Sequence, residues 1–225
     1  MNWMFRHDRV RRFPMLAAAA MVAIAAHASP AKAADWGIQN CSNAQKAAVV
    51  NARQDAFRWM DKLVQAMPYV KNQKNPPAAT FNLYMGATNA NSALMSGAFN
   101  SIKGYLDNPK IVADCTVTPA CAANPAWIAY VETGVGPTPM VVHLCAPFFG
   151  LARNVQTNTL IHELAHRANN LIIDQVMPPG APGAGGGAYS PAAVQWLAAN
   201  TSDLSIKNAE SYSLLAENMF PVKLP

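Results

Sequence analysis

This chain is poor in charge, and neither sign prevails in what it has. Charged residues make up only 13% of its 225 positions. Five of the basic residues (Arg6, Arg9, Arg11, Arg12 and Lys32), with one acid (Asp8), sit in the first 33, so the remainder carries 12 basic against 11 acidic side chains. The high pI is therefore a property of the leader, and with no basic stripe or aromatic-basic interleaving, nucleic-acid binding is excluded. A run long enough to anchor the chain in a bilayer is also missing, because the apolar stretch 15–26 falls short of the roughly 20 residues a spanning helix needs. Histidine is rare, with His143, His162 and His166 the three beyond the leader. No internal repeat is visible, and the four cysteines do not form paired CxxC knuckles, which argues against a zinc-thiolate site.

What is present begins with a leader. Arginines, then the apolar run, then Ala31-Lys32-Ala33 form a signal peptide over residues 1–33, with the mature chain starting at Ala34 or Asp35. Residues 34–225 are then one exported domain, secreted to the periplasm or the medium, with no membrane anchor after cleavage. All four cysteines lie in the exported part, where an even count reads as two disulfides with three possible pairings.

Along the mature chain, Ser42 and Gln45 read as a capping box before a long amphipathic helix carrying Val49, Ala56, Phe57, Met60, Leu63, Val64 and Met67 and ending near Pro68. After the breaker KNQKNPP, residues 80–106 predict one or two helices, with Phe81, Leu83, Leu94, Met95, Phe99, Ile102 and Tyr105 in the core. The runs TVTPAC, WIAYVE and MVVHLC, the last two separated by the turn signal GVGPTP, predict a small antiparallel sheet. Helical periodicity resumes near Thr157. MPPGAPGAGGGAYSP then reads as an irregular connection to two helices over 191–199 and 207–219.

The chemistry concentrates in HELAH. On an α-helix, residues four apart share a face, so the rings of His162 and His166 can reach one ion, with Glu163 beside them but not ligating. This is the zincin pattern: two imidazoles and a third ligand hold Zn²⁺ with a position open for water, whose proton the glutamate takes. Leu160, Ile161, Leu164 and Ala165 are expected to bury the opposite face. His143, in MVVHLC, reads as an ordinary strand residue near the cleft. Asp174 ends the apolar run LII and would be partly buried without a partner, which a metal would supply.

Several blocks, CSNAQKAAVVNARQ, FNLYMG, VVHLCAPFF, TLIHELAH, AYS and NAESYSLLAEN, occur in the order found in the aspzincin metalloendopeptidases, the deuterolysin and peptidyl-Lys metalloendopeptidase family, which the chain resembles from Cys41 to Asn218. The resemblance implies an α+β zincin-like metalloprotease, mainly helical, with a small sheet beside the active-site helix and an edge strand that aligns substrate by β-augmentation. WIAYVE or MVVHLC would be that edge. It implies disulfides Cys41–Cys115 and Cys121–Cys145, although CTVTPAC leaves a Cys115–Cys121 loop open. It also implies a protein or peptide substrate for a chain taken here as a monomer. The family's third ligand is an aspartate in a GTxDxxYG motif. Laid literally on AYSPAAVQWLAA, that motif puts Tyr189 at the tyrosine and Gly186 at the aspartate, leaving no ligand. Asp174, eight residues after His166, restores it if MPPGAPGAGGG is an insertion; Asp203 and Glu210 are the other acids to consider. Tyr189 would then stabilise the oxyanion, and Glu210 would line the pocket for a lysine after the cut, where Ser213 replaces a second acid. The competing readings are a catalytically silent exported binding protein of the same fold and a zinc hydrolase acting on other bonds.

Overall fold

The structure is a computed structural model that describes residues 35–70, 76–86, 92–132 and 140–222. The expected signal peptide, the GVGPTP turn and residues 71–75 of the breaker lie outside them.

Helix α1 (Asn43–Ala66) starts where Ser42 predicts. The Ser42 hydroxyl accepts from the Gln45 N–H at 3.3 Å, and the Gln45 side chain accepts from the Ser42 N–H at 2.8 Å, satisfying two of the donors a helix start leaves open. Its inner face buries Val49, Phe57, Trp59, Met60 and Leu63; each large side chain so removed from water contributes about 1.5–3 kcal/mol. Arg53 is buried among them, donating to the Leu106 carbonyl and to Asp35 beside the Trp36 ring. Burial pulls its pKa down, and Asp35 and Asp107 oppose that pull.

Two helices, α2 (Pro76–Met85) and α3 (Ser92–Leu106), fill the 80–106 region. Phe81, Met95, Phe99 and Ile102 are buried as expected, but Leu83 is exposed on the face of α2 opposite the core. Helix α5 (Arg153–Ala168) packs against α1, α3 and the C-terminal helix α8 (Ala209–Met219). Leu160, Ile161, Leu164 and Ala165 are fully buried there, which leaves the polar face of α5 to the cleft. Between α5 and α8 come α6 (Pro191–Asn200) and the short α7 (Ser202–Ser205).

The sheet corrects the expectation. Its strands β1 (Gly37–Gln39), β2 (Val112–Asp114), β3 (Ala129–Val131) and β4 (Val141–Leu144) lie in the order β1-β2-β4-β3. β1 with β2 and β2 with β4 are parallel, and only β3 with β4 is antiparallel, with Tyr130 opposite His143. The connections decide this: α1 to α3 intervene between β1 and β2, a crossover that brings the chain back to the same end of the sheet. TVTPAC is not a strand. Thr118 caps the short helix α4 (Pro119–Ala123), its hydroxyl accepting from the Cys121 N–H at 3.2 Å, and Pro119 takes the first helical position, where no amide donor is needed. Disulfides join Cys41 to Cys115 and Cys121 to Cys145, the pairing the resemblance implied. They tie the start of α1 to the end of β2, and α4 to the end of β4.

Candidate metal centre

His162 and His166 stand one turn apart on α5, with their Nε2 atoms 3.3 Å apart. The helix stops at Asn169, whose backbone is extended and whose side-chain oxygen accepts from the Leu171 N–H at 2.9 Å, a local bond that competes with helix continuation. The chain then doubles back. Asp174 returns to the histidine pair, its Oδ1 3.1 Å from His162 Nε2 and 3.4 Å from His166 Nε2. One atom from each of the three therefore converges on a common point.

The other ring nitrogens settle which character those atoms have. His162 Nδ1 lies 3.0 Å from Glu210 Oε2, and His166 Nδ1 lies 3.2 Å from the Ile172 carbonyl. Both partners accept only, so each Nδ1 carries the proton and each Nε2 is left with a lone pair. Two lone pairs and a carboxylate oxygen within about van der Waals contact of each other need a cation between them, and the site fits Zn²⁺ in its donor types. Without metal a proton takes that role. Burial pulls the His162 pKa down, but bonds to Asp174 and Glu210 and the nearby Glu163 carboxylate overcome it and raise the pKa to about 10. Burial pushes the Asp174 carboxyl up, and the two imidazoles hold it far below the usual range.

Glu163 is buried and lines the same cleft. Burial raises its pKa, the histidines and a hydrogen bond from the Val131 N–H on β3 opposing and Asp174 adding to the rise. Tyr189 lies across the triad, its ring centroid 6.2 Å from that of His162. Burial and the Asp174 carboxylate push its phenol up to about 12, so it stays protonated and can donate. The cleft, about 770 Å³, is walled by Trp127, Ile128 and Ala129 on the sheet side and by Asn158 and Thr159 on α5.

The profile of the lysine-specific metallo-endopeptidase (aspzincin) family matches residues 70–217, well over half of the chain and inclusive of HELAH, Asp174, Tyr189 and NAESY. The chain belongs to the aspzincin family. A zinc peptidase from Grifola frondosa has the same fold, at 21% identity and a TM-score of 0.59 over 81% of this chain and 100% of that one. No curated protein matches. This aspzincin is accordingly a metalloendopeptidase with zinc as its cofactor.

The aspzincin brings together every site residue the sequence singled out, and separates the remaining candidates from the triad. Asp203 is exposed on α7, and Glu210 reaches the far side of the His162 ring rather than the Nε2 side. Gly186 lies in the loop that follows Asp174. His143 sits on β4, stacked on Tyr130 with ring centroids 4.5 Å apart, and is no member of the triad. Sequence reasoning missed Asn208. Fully buried just before α8, it accepts from the Gln175 N–H and donates to the Ala188 carbonyl, both at 3.2 Å, and so ties the neighbours of Asp174 and Tyr189 together. Its place at a helix start would suggest a cap, but its side chain makes no capping bond, so no local signal pointed to this use.

Proposed function

We propose that this aspzincin is an exported zinc endopeptidase in which His162, His166 and Asp174 hold the metal, Glu163 moves the proton of the attacking water and Tyr189 stabilises the oxyanion. The observation that carries the reading is the convergence of two Nε2 atoms and one carboxylate oxygen, with both Nδ1 atoms already committed to acceptors. When bound, Zn²⁺ supplies the Lewis acidity that acidifies water and polarises a peptide carbonyl.

The chain's own residues account for the rest. An extended peptide pairs with the edge strand β3, which borders the cleft through Ala129, Tyr130 and Val131. Glu163, buried beside the ligands, accepts the proton of the attacking water and returns it to the leaving amine, and the Val131 N–H fixes its orientation. The Tyr189 phenol, kept protonated, donates to the oxygen that becomes charged as the carbonyl turns tetrahedral. Glu210 lines the cleft and offers a second carboxylate oxygen to a lysine after the cut. Ser213, buried and donating to the Glu210 carbonyl at 3.0 Å, adds no charge there, so the preference for lysine is weaker than a pair of acids would give. Residues 1–33 direct export and are removed, and 34–225 act as one domain and as a monomer. Two disulfides suit an oxidising compartment, and no helix among the described residues is long and apolar enough to cross a membrane.

Metal content and proteolysis of the purified mature chain test this. About one zinc per chain is expected, with casein cleavage lost on chelation. Glu163→Gln should keep the zinc and lose about 10²–10⁴-fold in kcat. Full activity in a pure Glu163→Gln preparation rejects the base. A chain that takes up no zinc is instead the silent exported binding protein of the same fold.

A further inference from the structure

Asp174 and Tyr189 are fifteen positions apart in the sequence, separated by the Gly/Pro-rich insertion, yet they meet at one site. The backbone around them accounts for this. Ile173 donates to the Lys207 carbonyl at 2.9 Å and accepts from the Ala209 N–H at 3.1 Å, which fixes the ligand's segment against the start of α8. The Ala188 N–H donates to the Gln175 carbonyl at 2.8 Å, and Asn208 bonds to the Gln175 N–H and the Ala188 carbonyl. Just beyond, the Met177 N–H donates to the Gly186 carbonyl and the Gly185 N–H to the Met177 carbonyl, at 2.8 and 2.9 Å. The insertion is thus a closed excursion with a hydrogen-bonded neck, and Tyr189 leaves the neck right beside the ligand it follows.

The neck alone does not aim the ring. The Tyr189 ring is folded back against Gly187, where a Cβ would stand 2.1 Å from Cε2, 2.6 Å from Cδ2 and 2.9 Å from Cζ. Gly187 is not in the left-handed region, unlike Gly180, Gly183 and Gly185 of the same loop. Its φ does not itself call for glycine, so the conflict that a side chain would meet at this position is with the ring. Tyr189 is more than half exposed and can swing into solvent when displaced.

We propose that Gly187, held at the Asn208 neck, is a positioning residue whose missing side chain sets the Tyr189 phenol across the ligand triad. This rests on the reading of Tyr189 given above, but its geometry can be tested apart from it. In a crystal structure of metal-free Gly187→Ala, the Tyr189 and His162 ring centroids, now 6.2 Å apart, should separate as the ring turns outward. KM should stay at its parental value. The kcat should fall about 100-fold, the effect of losing one oxyanion donor, and Gly187→Ala should cost nothing further in a Tyr189→Phe background. A ring that stays in place in the Gly187→Ala crystal overturns the proposal whatever the activity. A displaced ring with unchanged kcat upholds the positioning and removes Tyr189 from the reaction instead. If Gly187→Ala does not fold, Gly187→Ala with Tyr189→Ala must fold, since the conflicting ring is gone, and failure of that double variant also overturns the proposal.

Discussion

Glu210 offers the sharpest quantitative test of the site, because two roles for it predict different measurements. Its Oε2 accepts from His162 Nδ1 at 3.0 Å, and the two side chains are 14% and 12% exposed. Truncation in Glu210→Ala leaves a donor in a place water reaches poorly, so the full worth of a hydrogen bond to a charged group, about 1.5–3 kcal/mol, should be lost from the geometry that aims Nε2. At 1.4 kcal/mol per factor of ten this is about a 10–100-fold loss of zinc affinity, the range found when such supporting carboxylates are removed elsewhere. Glu210→Gln retains an acceptor without the charge and should lose roughly half of that free energy. The assay is a competition titration against a chromophoric chelator at neutral pH, with Asp203→Asn, an exposed acid of α7, as the control. Zinc affinity in Glu210→Ala within about twofold of the parent would refute the orienting role. A rise in KM confined to lysine substrates, with zinc affinity untouched, would instead make Glu210 purely a pocket residue.

Three further outcomes follow from the structure. Asp114 Oδ1 accepts from Asn40 Nδ2 and from the N–H and hydroxyl of Thr116 at 2.8–3.0 Å. Burial pushes its carboxyl up, but these bonds and His143 hold the pKa below the ordinary value, so its stabilisation is present above about pH 4 and is lost as pH falls through the depressed value. Asp114→Asn should therefore unfold about 1–3 kcal/mol more easily at pH 7, with the gap to the parent closing in denaturant titrations below about pH 4; a pH-independent gap contradicts this. Replacing the Cys41–Cys115 pair, which closes a separation of 74 residues, by serines should cost about 4.4 kcal/mol in the chain-entropy picture, against about 3.4 kcal/mol for Cys121–Cys145 with its separation of 24. Equilibrium unfolding of the two double variants in urea should rank them in that order, and the reverse order would put the difference in native-state packing instead. Chelation should lower the melting temperature of the parent, since zinc held at 100 times its Kd adds about 2.7 kcal/mol. Asp174→Ala should melt at one temperature with or without chelator at that same zinc concentration, and an undiminished shift would exclude Asp174 as a ligand.

Much of this site could be read from the sequence because it is local. His-Glu-x-x-His needs only the pitch of a helix to place two imidazoles on one face, and the apolar residues around it needed only that same periodicity to be found buried. The capping box at Ser42 and the break in regular structure after Asp174 are local as well. Strand direction was not legible, because a three-residue strand looks the same whichever way it runs, and the crossover through α1 to α3 decides it. TVTPAC misled for a related reason: β-branched residues suit a strand, but Pro119 removes an amide donor and Thr118 can cap.

By itself, then, the sequence determined the two imidazoles, the glutamate between them and the core under the helix that bears them, since all of these follow from contacts within a few turns. Tertiary structure alone decided that Asp174 comes back to the histidines, that Glu210 holds the far nitrogen of His162 and that Tyr189 rejoins the site across the Gly/Pro-rich loop. Those placements depend on hydrogen bonds from Ile173, Gln175 and Ala188 to residues 207–209 or to each other. Such long-range pairings form only once α5 and α8 are packed together; the family's spacing could point to Asp174 and Tyr189, but no periodicity along the chain encodes the bonds that bring them to the histidines.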